Sequence, residues 1–175
     1  MSSHRVLSSV ITSLFALAPL VLTAAPAHAA GNLAARVDGS FTDAAGEGVF
    51  EGSLTLRGFE RRGDRLVALG ALDGSFTDGA GKQLGELDGR ELVLAVDAAS
   101  LAASCERCTL TLRLEDVDGA GVRAHLQPVA VEIGAGAAPN NRLDAPLCEL
   151  AKVVGPSADL GAVAQGLDRV LAALE

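Results

Sequence analysis

The sequence predicts an α+β protein, mainly β: an antiparallel six-stranded meander, an open sheet or a small barrel, covered by one or two C-terminal helices. Three observations carry this expectation. From Leu33 to Ile133 apolar residues recur with a period of two, in runs separated by Gly- and Asp-rich reversals. The stretch DGSFTDAAG at Asp38–Gly46 returns 35 residues later as DGSFTDGAG at Asp73–Gly81. From Leu143 onward the apolar period changes to about 3.6, that of a helix.

The first strand runs from Leu33 to Phe41, with Leu33, Ala35, Val37 and Phe41 on one face and Arg36, Asp38 and Ser40 on the other. The second and third form a hairpin over Val49–Thr77. In its first arm Phe50, Leu54 and Leu56 share a face with Gly52; in its return arm Leu66, Ala68, Gly70, Leu72 and Phe76 do. Glu60–Asp64, with Gly63, supplies the reversal. Two copies of the repeat are too few for a solenoid, so they predict two similar hairpin ends whose Asp and Gly residues form turns. A fourth strand lies within Lys82–Asp97 on Leu92, Leu94 and Val96, and Ala98–Ser104 reads as a loop or helical turn. The fifth covers Cys108–Glu115, followed by a tight turn at Asp116–Gly119. The sixth, Val122–Ile133, changes face: Val122, Ala124 and Leu126 give way to Val129, Val131 and Ile133. Pro128 stands at the switch, which predicts a bulge on an edge or bend.

Gly134–Arg142 is loop by composition. Leu143, Leu147, Leu150 and Val154 then fit a short helix closed by Gly155 and Pro156. Ser157 is the expected cap of a second, whose stripe is Leu160, Val163, Leu167, Val170, Leu171 and Leu174. Gly161 and Gly166 each weaken that helix by about 1 kcal/mol relative to Ala.

Residues 1–29 read as a cleaved signal peptide: His4 and Arg5, an apolar run over Val6–Thr23, and Ala27-His28-Ala29 as the cleavage site. That run is short of the roughly 20 residues of a spanning helix. Residues 30–175 remain as one β-rich domain, helical from about 143, in the periplasm or the medium. No second apolar span follows, so no integral membrane segment is expected after cleavage. Arg5 is the only charged residue removed, which takes the formal charge from −8 to −9. Nucleic acid is excluded as a partner on this balance, since the one basic cluster, Arg57, Arg61 and Arg62, lies among acids. The mature chain has Phe41, Phe50, Phe59 and Phe76 but no Tyr or Trp, which argues against base-stacking platforms and membrane-barrel girdles.

Candidate chemistry centres on Cys105, Cys108 and Cys148. Cys105-Glu-Arg-Cys108 has the spacing of a redox dithiol, yet it runs into a strand instead of opening a helix. A structural disulfide between the sheet and the helical region is the stronger reading in an oxidising compartment, and it leaves one thiol over. Zinc could draw on the three cysteines and His125, but no second knuckle exists. Asp116, Asp118, Asp43 and Asp78 complete no calcium loop and read as turn formers. No G-x-S-x-G elbow is present, and His125 is the only histidine after residue 29. No catalytic residue and no cofactor is assigned.

Two blocks resemble a group of small uncharacterised secreted bacterial proteins. The first, F-x-G-x-L-x-[IL]-x-x-F followed by L-V-A-x-G-x-L-x-G, is similar to Phe50–Phe59 and Leu66–Gly74. The second, C-x-x-L-x-L-x-L with a later strand and a loop ending in L-C, is similar to Cys105 with Leu110 and Leu112, Val129–Ile133, and Leu147-Cys148. Cys108 stands where the group usually has leucine, and Asn140–Pro146 keeps little of its Asn-Leu-Leu-Gly repetition. The resemblance implies a disulfide between Cys105 and Cys148, with Cys108 a small buried free thiol. It carries no activity.

The resulting expectation is an exported non-enzymatic domain that binds a small apolar ligand or an envelope partner, motivated by apolar residues on both faces near Val67, Leu69 and Ala71. Its rivals are a thiol-disulfide redox protein using Cys105 and Cys108, and a structural or self-assembling surface component.

Overall fold

The computed structural model describes residues 33–137 and 142–174; the signal-peptide reading of residues 1–29 lies outside them. The chain is α+β and mainly β. Strands β1 (Leu33–Asp43), β2 (Gly46–Arg62), β3 (Arg65–Thr77), β4 (Gln83–Ala103) and β5 (Arg107–Arg113) form an antiparallel meander. The next residues build β6 (Val117–Gly119), β7 (Val122–Leu126) and β8 (Val129–Gly134). The described residues thus contain eight strands, where the sequence reading expected six.

The difference has a local cause. β5 pairs with β8 and β6 with β7 in one continuous register, so the four are a single long hairpin broken in both arms at the same level. Leu114–Asp116 interrupts one arm and Gln127–Pro128 the other. Proline has no N–H for a ladder, and the face change it permits lets Ala124, Leu126, Val129, Val131 and Ile133 all point inward. The tight turn expected at Asp116–Gly119 is displaced to Ala120-Gly121, both at positive φ (52° and 79°). Val117 is the reason: it is buried, and burying it holds Val117–Gly119 in the ladder.

Through this hairpin the sheet curls into a half-barrel. β7 pairs with β1 at Gly39–Leu126 and Ser40–His125, and the Gln127 N–H donates to the Asp38 carbonyl at 2.9 Å. β8, two residues on, pairs with β5 at the far end of the strand order β6-β7-β1-β2-β3-β4-β5-β8.

Of the four phenylalanines among the described residues, three lie in close succession on the inward face. Phe50 lies 4.9 Å from Phe76 at 58°, and Phe41 lies 6.0 Å from Phe76 at 60°, tilted arrangements that ring quadrupoles favour. Gly52 and Gly74 face each other across β2 and β3, and their missing side chains leave the space that Phe50 fills. A Cβ on Gly52 would stand 2.8 Å from Phe50 Cε1, and one on Gly74 2.7 Å from the Glu51 carbonyl.

Helices α1 (Asp144–Val153) and α2 (Leu160–Ala173) cover the end of the sheet where β2 meets β3 and β4 meets β5. Leu143, Leu147 and Leu150 from the first helical segment, and Val163, Leu167 and Val170 from α2, join the same apolar cluster as the strands. Asp159 caps α2 instead of Ser157: its carboxylate accepts the Gly161 N–H at 2.9 Å. Gly166, costly by helix propensity, is buried against Leu150, where a Cβ would come within 2.9 Å of Leu150 Cδ1. The pairing of β2 with β3 shifts at Arg57, and beyond it the Phe59 N–H donates to Asp168 of α2 at 2.7 Å. None of the described helices is long and apolar enough to cross a membrane.

The ring-over-glycine contact gives a direct test. Gly74→Ala overfills the Phe50 site and lowers stability by about 1–3 kcal/mol, read as a lower urea midpoint at unchanged m-value. Gly136→Ala, where a Cβ meets nothing within 4 Å, changes stability by less than about 0.5 kcal/mol. Equal midpoints for the two variants would contradict the packing described.

Candidate functional site

The helix-covered end of the sheet gathers all three cysteines. β4 turns into β5 through a tight reversal in which the Ser104 N–H donates to the Arg107 carbonyl at 2.8 Å. The Ser104 hydroxyl accepts the Glu106 and Arg107 amides at 3.2 Å each. Cys105 sits exposed in this turn and is joined by a disulfide to Cys148 on α1, with the two Cα atoms 4.1 Å apart. A closure spanning 43 residues contributes about 4 kcal/mol in the loop-entropy account.

Cys108 is a free thiol, wholly buried on the inward face of β5 beside Leu110 and Leu112. Burial pushes its pKa up to about 11, which keeps it protonated and unreactive at neutral pH. Cys105 and Cys108 are therefore not a free dithiol in this structure, since the Cys105 sulfur is bonded to Cys148. His125 lies exposed on β7, its Nδ1 2.8 Å from Asp116 Oδ1. Asp43 and Asp78 act as turn formers: Asp43 accepts the Ala45 amide at 2.7 Å, and Asp78 the Ala80 and Lys82 amides at 3.0 and 2.8 Å. Among the described residues no three His, Cys, Asp or Glu side chains gather in a group that could hold a metal ion.

Next to the disulfide lies a cleft that sequence reasoning did not find. β4 continues to Ala103, through the segment read from sequence as a loop or helical turn, but its register against β5 jumps between Asp97 and Ala102. The residues between them project as a braced protrusion. Asp97 accepts from Arg113 at 2.7 Å and from the Ala99 amide at 3.1 Å, and these two contacts, in that order, hold its carboxyl below the usual range. The Ser100 hydroxyl donates to the Asp97 carbonyl and accepts the Thr111 amide, both at 2.8 Å, standing in for the interrupted ladder. Ala98 and Leu101 of the protrusion face Val154, Pro156, Leu160 and Val163 across a cleft of about 280 Å³. The spacing Asp97-x-x-Ser100 after an alternating run was the available signal.

A second groove, about 350 Å³, crosses the outward face of β3 and β4 over Leu69 and Val93. The Arg57–Glu91 ion pair, 3.0 Å, stands among its lining residues. On that face Val67 and Ala71 are buried and Leu69 half-buried, whereas Val93 remains 46% exposed.

Compared with known proteins, the chain matches no family, no curated protein and no solved structure.

The environment of Cys108 predicts a pH response. Its folded pKa lies above the unfolded thiol value of about 8.5, so its contribution to stability is complete below that value and is lost as pH rises towards about 11. Urea midpoints of the wild type fall more steeply between those pH values than midpoints of Cys108→Ala. At pH 8 the native protein does not react with an aromatic disulfide reagent, and the unfolded protein does. Rapid labelling of the native state would contradict the burial.

Proposed function

We propose that this chain is an exported, non-enzymatic domain that binds a small apolar ligand in the cleft between the β4 protrusion and the connection from α1 to α2. The observation that carries this reading is the cleft itself. Its walls are apolar side chains only, and it lies at the covered mouth of a curled sheet, a common place for ligand sites. Phe41, Phe50 and Phe76 pack against one another in the interior, which favours a peripheral site over a central one.

Export is supported by the form of residues 1–29, by the resemblance to secreted bacterial proteins, and by a disulfide of the kind that oxidising compartments maintain. The redox reading has less support. Its proposed dithiol would need Cys105 free and Cys108 accessible, whereas one is bonded and the other buried.

Native mass spectrometry of the protein recovered undenatured from the exported fraction tests the reading. The expected result is a reproducible added mass that disappears on denaturation. A bare chain there, together with failure of apolar probes to bind the purified protein, overturns it.

A further inference from the structure

We propose that the cleft takes a hydrocarbon segment of its ligand, and that its hold on that segment is coupled to the Cys105–Cys148 bond. The inference rests on the ligand-binding reading above and adds the class of the bound group and its control.

The class follows from size and lining. A volume of about 280 Å³ lies just below the usual range of ligand sites, about 300–1,000 Å³. It accommodates a hydrocarbon segment of several carbons. Leu101, Val154, Pro156 and Val163 offer no side-chain hydrogen bond, and the wall amides of Val154 and Ala158 already donate to the Leu150 and Gly155 carbonyls, both at 3.1 Å. A charge placed inside would meet no side-chain partner to replace its water. Any charged head therefore stays outside.

The coupling follows from where the walls are attached. One wall ends at Leu101, just before the turn that carries Cys105; the other begins at Val154, where α1, which carries Cys148, ends. The disulfide is the covalent tie between these two segments. Leu160 and Val163 belong to α2, which is anchored separately through Asp168 and the Phe59 amide. Reduction thus loosens one side of the cleft and leaves the other in place. Buried Leu143, Leu147 and Leu150 keep α1 on the core, so the reduced protein stays folded with a slacker site.

The chemical step is a thiol–disulfide exchange with a dithiol reductant. The Cys105–Cys148 S–S bond breaks, each sulfur gains one electron and one proton, and the dithiol supplies both pairs and closes into its own cyclic disulfide. By linkage, a ligand held more tightly by the disulfide form must favour that form by the same factor.

The test uses n-hexanol as the probe and the methyl resonances of Leu101, Val154 and Val163 as the readout, since the chain has no Trp or Tyr to report by fluorescence. Hexanol shifts these methyls in the oxidised protein and binds the dithiothreitol-reduced protein about five-fold more weakly or worse. In a dithiothreitol redox titration, saturating hexanol moves the equilibrium toward the disulfide by the same factor. Ala158→Phe, which fills the cleft, removes both effects while the disulfide remains. Equal affinity for the oxidised and reduced proteins overturns the coupling and leaves the ligand reading standing. No methyl shift in the oxidised protein overturns both. Should reduction unfold the chain, the oxidised Ala158→Phe protein decides: hexanol binding as in the wild type overturns the proposed site.

Discussion

The tilted contact of Phe50 with Phe76, laid over the paired glycines Gly52 and Gly74, is the constraint on which the rest of the structure depends. Strand glycines normally weaken a sheet, but a ring lying over them restores the buried area that their own side chains lack. Here the device also sets curvature, because the strands can close around rings only where no Cβ intervenes. The tip of the long hairpin uses the other ring of the pair: a Cβ on Gly119 would come 2.6 Å from Phe76 Cε2. One aromatic pair therefore packs against glycines of β2, of β3 and of the β6–β7 tip. With the centre so filled, the open apolar space lies at the periphery.

At the other end the sheet is closed by helices, and three different contacts hold them. Apolar burial of Leu147, Leu150, Val163 and Leu167 supplies the area. The Asp168–Phe59 hydrogen bond satisfies a β2 amide beyond the reach of its pairing with β1, and the Cys105–Cys148 bond fixes α1 to the β4–β5 turn. The cleft is what remains between elements positioned by different means. Its β4 wall depends on the polar brace of Asp97 and Ser100, and its helical wall on apolar packing and the disulfide. A site bounded in this way can change shape without disturbing the packed centre.

Much of this was legible in the sequence where side-chain periodicity and turn chemistry act locally. β1 and β3 both flank β2 and run in the same direction, so the two DGSFTD copies occupy equivalent places; Phe41 and Phe76 become neighbours, and Asp43 and Asp78 make similar turns. The change of face around Pro128 was visible as a break in parity. The illegible features depend on partners distant in the chain. The Asp97-x-x-Ser100 spacing hints at a local turn but not that Thr111 will bond to Ser100, and the spacing of Asp159 against Ser157 does not show which of them caps α2. The division of two long arms into four strands needs both breaks at one level of the hairpin, which one arm alone does not reveal.

The central claim is a filled sheet interior with an apolar opening at its helical end. A crystal structure of the oxidised protein under xenon pressure tests it most directly, because xenon settles in dry apolar space. The account predicts a xenon atom between Leu101 and Val163 and none among Phe41, Phe50 and Phe76. Xenon inside the ring cluster, with the cleft empty, would contradict it.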